Sequence, residues 1–131
     1  MWSVRKARRI GIRRRRGKRL KTKYNAQKVS VDGIKFDSRK EAARYEVLKG
    51  LEQSGKIGQL ELQPRFEVQE GYRYKGKAIR KVEYVADFKY LDMERGVWVV
   101  EDVKGMRTNV YKLKLKMFLR RYGDFFDFRE V

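Results

Sequence analysis

The chain has no cysteine, no histidine and a single proline in 131 residues. Without cysteine there is neither a disulfide framework nor a thiolate metal site. Without histidine there is no imidazole acid or base, no Ser-His-Asp triad and no ordinary zinc site. Any catalysis must run on carboxylates, lysine, tyrosine and a metal ion. Long apolar runs are also missing. The longest, Val97 to Val100, falls far short of the roughly 20 residues that a membrane span needs. The N-terminus is basic but lacks the apolar stretch of a secretory signal, so an intracellular protein is expected.

Acid is scarce relative to base. Lys plus Arg number 35 against 17 Asp plus Glu, a net charge of +18. Such an imbalance points to nucleic acid as partner, and less readily to an anionic membrane. Two-thirds of the excess lies in residues 1–23, which carry twelve Lys or Arg and no acid. Like charge at that density resists folding alone. Residues 1–23 therefore read as a basic, flexible arm that binds phosphates by releasing counterions, with Arg13, Arg14, Arg15, Arg16, Lys18 and Arg19 at its centre. A solubility tail or an address signal is the alternative. The arm lacks the apolar face of an interfacial helix. Residues 24–131 are enough for one domain with its own core.

Within that domain, Val29, Val31 and Ile34 flank Asp32-Gly33, a tight-turn pair. Ser38 followed by Glu41 reads as a capping box opening a helix from about Arg39 to Gln53. Ala42, Tyr45, Leu48 and Leu51 form its apolar face, and Ser54-Gly55 its end. Ile57 to Val68 reads as a strand with alternating faces, interrupted by Pro64. Residues 70–78 interleave Tyr72, Arg73, Tyr74, Lys75 and Lys77, as a substrate-facing loop or an ordinary hairpin connection. Ile79 to Tyr90 and Val97 to Lys104 are the central strands, joined across Asp92 to Gly96. Thr108 or Asn109 caps a second helix, about Val110 to Tyr122. Its expected apolar face is Val110, Leu113, Met117 and Leu119 or Tyr122, and Gly123 is its expected stop. Lys112, Lys114, Lys116, Arg120 and Arg121 make it basic, and Lys112 and Lys116 are candidate nucleic-acid contacts. Phe125 to Val131 is a last strand. The class is α/β with a mixed sheet.

Three charged residues stand out on the central strands. Asp87 lies mid-strand between Ala86 and Phe88, and an acid there is costly to bury unless paired. Asp102 and Lys104 share one face of the next strand, with Glu101 on the other. An Asp in one strand and Asp-x-Lys in the next resembles the PD-(D/E)XK nuclease superfamily, with Ala86 standing where that motif has Pro. The helix start Phe36-Asp37-Ser38-Arg39-Lys40-Glu41-Ala42 is similar to that of Holliday-junction resolvases and TnsA-type transposon nucleases. Gln63-Pro64 again resembles the TnsA-type pattern. Tyr84-Val85-Ala86-Asp87-Phe88 and Val99 to Gly105 look like a family of small phage-encoded proteins of the same superfamily. The order helix, three strands, helix, strand is the αβββαβ restriction-endonuclease-like core, and the resemblance covers about residues 36–131.

The resemblance implies a Mg²⁺- or Mn²⁺-dependent endonuclease of a bacterial or phage-infected cell. Asp87, Asp102 and the Val103 carbonyl would ligate the ion, Lys104 would orient the attacking water, and Glu41 would hold a metal-bound water or a second ion. Glu41 has a second reading as a cap carboxylate alone. Glu46, one turn on, competes for its role. The favoured substrate is branched DNA such as a Holliday junction, and such resolvases imply a homodimer. The alternatives are a sequence- or end-selective duplex endonuclease, or a basic binding protein without catalysis in which Asp87 pairs with Lys89 and Asp102 with Lys104. RNA stays open as the polymer.

Overall fold

In a computed structural model, residues 28–103, 105 and 107–131 are described. The arm, with Arg13, Arg14, Arg15, Arg16, Lys18 and Arg19, lies outside the described residues, and so does Lys104. The chain is mixed α/β, with two helices and four small sheets among those residues. It divides into two compact units, the first ending at Ala42 and the second running from Ala43 to Val131.

In the first unit, β1 (Val29–Val31) and β2 (Ile34–Phe36) pair as an antiparallel hairpin. Its turn is Asp32-Gly33, with φ of 54° and 76°, the left-handed pair that a two-residue hairpin loop needs. Helix α1 (Arg39–Gln53) begins in this unit and continues into the second. Its start is the expected cap with one change. The Glu41 N–H donates to Ser38 Oγ at 3.1 Å, but the Glu41 carboxylate accepts from the Asp37 N–H at 3.3 Å. That donor sits one residue upstream of the usual capping-box partner. The helix ends as expected at Gly55, whose φ is +82°. The Lys56 N–H there returns to the Leu51 carbonyl at 2.9 Å.

The second unit is built on a four-stranded mixed sheet in the order β10-β9-β8-β3. Strand β3 is Ile57–Leu62, β8 is Phe88–Asp92, β9 is Val97–Asp102 and β10 is Asp127–Glu130. Strands β3 and β9 flank β8 antiparallel, while β10 runs parallel to β9. A second pair, β4 (Arg65–Gln69) with β7 (Val82–Val85), is antiparallel, as is a third, β5 (Tyr72–Tyr74) with β6 (Lys77–Ile79).

Two expected strands are therefore each broken. Ile57 to Val68 is β3 and β4, and Ile79 to Tyr90 is the end of β6, then β7 and β8. The breaks face each other. Gln63 takes φ +51°, and its N–H donates to the Asp87 carbonyl at 2.9 Å, while the Ala86 N–H donates to the Pro64 carbonyl at 3.1 Å. Both chains thus turn together from one sheet into the next. Asp87 is at this corner, not in the middle of a strand. Pro64 fits because a corner residue has no ladder bond to donate.

Side chains alternate along β9, so its two faces carry different residues. Val99 and Glu101 share one face with Tyr90 and Phe88, their partners in register. On the same side, Arg44 of α1 bonds Glu101, and Tyr45 and Leu48 of α1 are buried. The opposite face holds the aromatic core: Phe66, Val68, Tyr84, Ala86, Val100 and Phe118. Phe118 belongs to α2 (Asn109–Tyr122), which Thr108 caps by accepting the Tyr111 N–H at 3.0 Å.

The buried stripe of α2 differs from the expected one. Tyr111, Leu115, Phe118 and Tyr122 pack on the core, while Val110, Leu113 and Leu119 are exposed. Met117 and Tyr122, which also belonged to the expected face, do pack there. Aromatic rings bury more area than Val or Leu, so the stripe containing Phe118 and Tyr122 wins the core. Gly123 ends α2 in a right-handed conformation, φ −60°. Its requirement is space, since a Cβ would lie 2.3 Å from the Leu119 carbonyl oxygen.

Candidate functional site

The corner between β7 and β8 meets the end of β9. The β8–β9 ladder ends at the Phe88–Glu101 pair, and just before it the Asp87 N–H also donates to the Glu101 carbonyl, at 3.1 Å. The Asp87 carboxylate in turn accepts the Val103 N–H at 2.7 Å. Asp87 is thereby held to the segment that carries Asp102 and Val103.

Asp102 is buried, with 6% of its surface exposed. It accepts a hydrogen bond from the Tyr84 hydroxyl. Burial pushes the Tyr84 phenol far above its ordinary value, and the bond to Asp102 pushes it further. The phenol therefore favours its proton-bearing form, which is the donor in that bond. Tyr111 is raised in the same way, first by burial and then by the Asp102 charge. Tyr84 and Tyr111 lie 6.2 Å apart between ring centroids. Sequence reading did not single out Tyr84 as a support for Asp102. The signal was present in the alternation of β7, where Glu83 and Val85 point away from Tyr84.

Glu101 stands on the opposite face and is completely buried. Arg44 grips it with two bonds, Nε at 2.8 Å and Nη2 at 2.6 Å. The Tyr90 hydroxyl donates to the same carboxylate. Excluding Glu101 from the site on strand alternation agrees with this geometry. The alternative pairing of Asp87 with Lys89 is not what the structure shows for that lysine. Lys89 pairs with Glu61 at 3.3 Å and lies over Trp98, 5.1 Å from the ring centroid.

Residues 21–128 match the family described as "Protein of unknown function (DUF1064)". The chain belongs to the DUF1064 family. No curated protein and no solved structure matches it.

The remaining candidates of this DUF1064 chain are placed as follows. Glu41 lies in the first unit, buried and engaged in the cap. Lys112 and Lys116 are exposed on α2. Glu46 is exposed on α1. Among the described residues no three acids gather as a metal-binding group, and no helix is long and apolar enough to cross a membrane. Asp87, Asp102 and the Val103 carbonyl offer oxygen donors only, which suit a hard dication such as Mg²⁺ that keeps several waters. The donor chemistry therefore fits the ion.

Proposed function

We propose that the chain is a metal-dependent DNA endonuclease of the PD-(D/E)XK type. The observation that carries this reading is the bond from the Val103 N–H to the Asp87 carboxylate, which ties the β7–β8 corner to the end of β9 next to the buried Asp102. The order α1-β3-β8-β9-α2-β10 supports it, as does the +18 charge. Asp87 and Asp102 would hold Mg²⁺ or Mn²⁺ together with the Val103 carbonyl. A bound dication acidifies a water and stabilises charge on the phosphate. The chain's own groups position that chemistry. The Val103 N–H fixes Asp87, and the Tyr84 hydroxyl fixes Asp102. Lys104, two residues beyond Asp102, would orient the attacking water and offset charge at the phosphate. Glu41 is assigned to the site by resemblance alone, and its cap bonds are a sufficient structural reason for it.

Branched DNA is the favoured substrate, cut by a homodimer within a bacterial or phage-infected cell. Cleavage of a labelled four-way junction beside a matched linear duplex, with Mg²⁺ or Mn²⁺, tests this in the wild type and in Asp102→Ala. Metal-dependent cutting that the variant loses supports the nuclease. Equal cutting of both DNAs removes the branch preference and favours a sequence- or end-selective enzyme. A second reading is a nucleic-acid-binding protein without catalysis. The lack of a three-acid group among the described residues favours it. Binding without cutting in either protein would establish that reading instead.

A further inference from the structure

The β5–β6 ribbon makes no ladder with any other strand among the described residues. A two-stranded hairpin alone is marginal in water, yet this one has three local supports. Its tip, Lys75-Gly76, has φ of 49° and 79°, as a tight hairpin turn requires. Arg73 Nη1 donates to the Gly76 carbonyl at 2.6 Å. At the base, Gly71 lets the strands close, since a Cβ there would lie 3.1 Å from the Ile79 carbonyl oxygen.

What the ribbon displays is unusual for a surface turn. Tyr72 and Tyr74 are 52% and 59% exposed and lie on one face with Lys77 and Ile79, their partners across the ribbon. Lys75 sits over the Tyr74 ring, 5.4 Å from its centroid. Residues 70–81 hold five cations and one acid. Where the chain leaves β6, Arg80 and Lys81 line an open groove with Arg65, Lys114, Glu83 and Val85. Glu83 pairs with Arg65 and Lys81 at 3.1 and 3.3 Å. Arg80 and Lys114 have no ion pair among the described residues.

Same-face positions on a strand are about 6.8 Å apart, twice the roughly 3.4 Å rise between stacked bases. One unpaired base fits between rings set at that spacing. Paired bases already stacked in a duplex do not offer both faces. We propose that the ribbon and groove grip DNA at an unpaired base, which stacks on Tyr72 and Tyr74 while Arg80 and Lys114 take flanking phosphates. The inference rests on DNA being the substrate and names its class: duplex interrupted by unpaired nucleotides.

The test uses the full chain in EDTA, so that no cleavage intervenes. One DNA carries a single unpaired 2-aminopurine and the other is its fully paired counterpart. The wild type should quench the 2-aminopurine on binding. Tyr72→Ala/Tyr74→Ala should lose the quench and bind the interrupted DNA about 10- to 100-fold more weakly, with less than about a twofold change on the paired DNA. Tyr72→Phe/Tyr74→Phe should behave as wild type, because the rings remain. Arg80→Ala/Lys114→Ala should weaken both DNAs alike and lower the salt slope by about two. Equal loss on both DNAs in the Tyr→Ala variant, or an undiminished quench, overturns the proposal. Tighter, Tyr-dependent binding of the same sequence as RNA overturns the choice of polymer. Tyr-dependent self-association without DNA makes the surface an interface between copies and overturns it too. A quench effect without junction cutting would sink only the nuclease reading, and cutting without a quench effect only the grip.

Discussion

Glu101 and Asp102 are consecutive acids at the end of one strand, both buried, and their surroundings are opposite. Glu101 faces a guanidinium that bonds it twice and a tyrosine that bonds it once. Asp102 accepts from a tyrosine hydroxyl, and the next residue, Val103, holds the Asp87 carboxylate. The first face is a closed ion pair whose charges match. On the second, the bond to Asp102 comes from a neutral phenol and not from a guanidinium. Two neighbours of similar chemistry are thus separated into a structural role and a candidate chemical one by which way each points.

The largest expected effect is on the closed face. Arg44→Met leaves Glu101 charged, buried and without its cation, and should cost about 3–5 kcal/mol in urea unfolding. Adding Glu101→Leu should restore most of that, since an apolar pair of similar volume often replaces a buried ion pair at little cost. A cost below about 1 kcal/mol for Arg44→Met would mean that the pair behaves like an exposed one, and the contrast between the faces would fail.

Asp102→Asn tests the other face. It keeps an acceptor for the Tyr84 hydroxyl and should cost less stability than Arg44→Met, while metal-dependent cleavage falls about 100-fold or more. Mg²⁺ at a hundredfold excess over its dissociation constant should stabilise the wild type by about 2.7 kcal/mol. That gain should vanish in Asp102→Asn and survive in Tyr90→Phe, as read by thermal unfolding.

The two tyrosines sharpen the comparison further. Tyr84→Phe removes the neutral donor from Asp102 and should cost about 1–3 kcal/mol. Tyr90→Phe should cost roughly 1 kcal/mol less, because Arg44 still satisfies both Glu101 oxygens. A reversed order would show that Asp102 depends less on Tyr84 than the geometry implies.

The smallest effect is expected at the exposed cluster at the other end of the sheet. Arg95 bonds Asp127 at 2.8 Å and Asp92 at 3.0 Å. The Arg95 side chain holds the Asp127 carboxyl below its ordinary value, with Arg129 assisting. For Asp92 the Arg95 backbone N–H contributes most, ahead of the guanidinium. Both folded values are depressed, so the stability they add is complete above the unfolded value and drains as pH falls through the folded one. Asp127→Asn should therefore lower stability slightly at neutral pH. The difference from wild type should shrink as pH falls below the ordinary carboxylate range, followed by urea unfolding.

Much of this was legible in the residues. The bounds of α1, its Ser38 cap and its Gly55 stop follow from local chemistry, and the helix is as read. The Asp32-Gly33 turn is equally local. The placement of Glu101 and Asp102 on opposite faces follows from strand periodicity alone. The broken strands were not legible. A period of two continues unchanged through Gln63-Pro64 and Ala86-Asp87, and nothing in it reports a change of pairing partner. The face of α2 was also ambiguous, because Val110-Leu113-Met117 and Tyr111-Leu115-Phe118-Tyr122 are both apolar at helical spacing.

By itself, the sequence determined the mixed α/β class, the basic character, the lack of imidazole and thiol chemistry, and the opposite faces of Glu101 and Asp102. These depend on composition and on contacts a few residues long. Tertiary structure decided which strands share a sheet, that Asp87 stands at a corner bonded to Val103, that Arg44 closes Glu101, and that Tyr84 supports Asp102. Those residues are separated by 16 to 57 positions in the chain. Only the packing of β7, β8 and β9 between α1 and α2 brings them together, and no local pattern encodes a pairing across that distance.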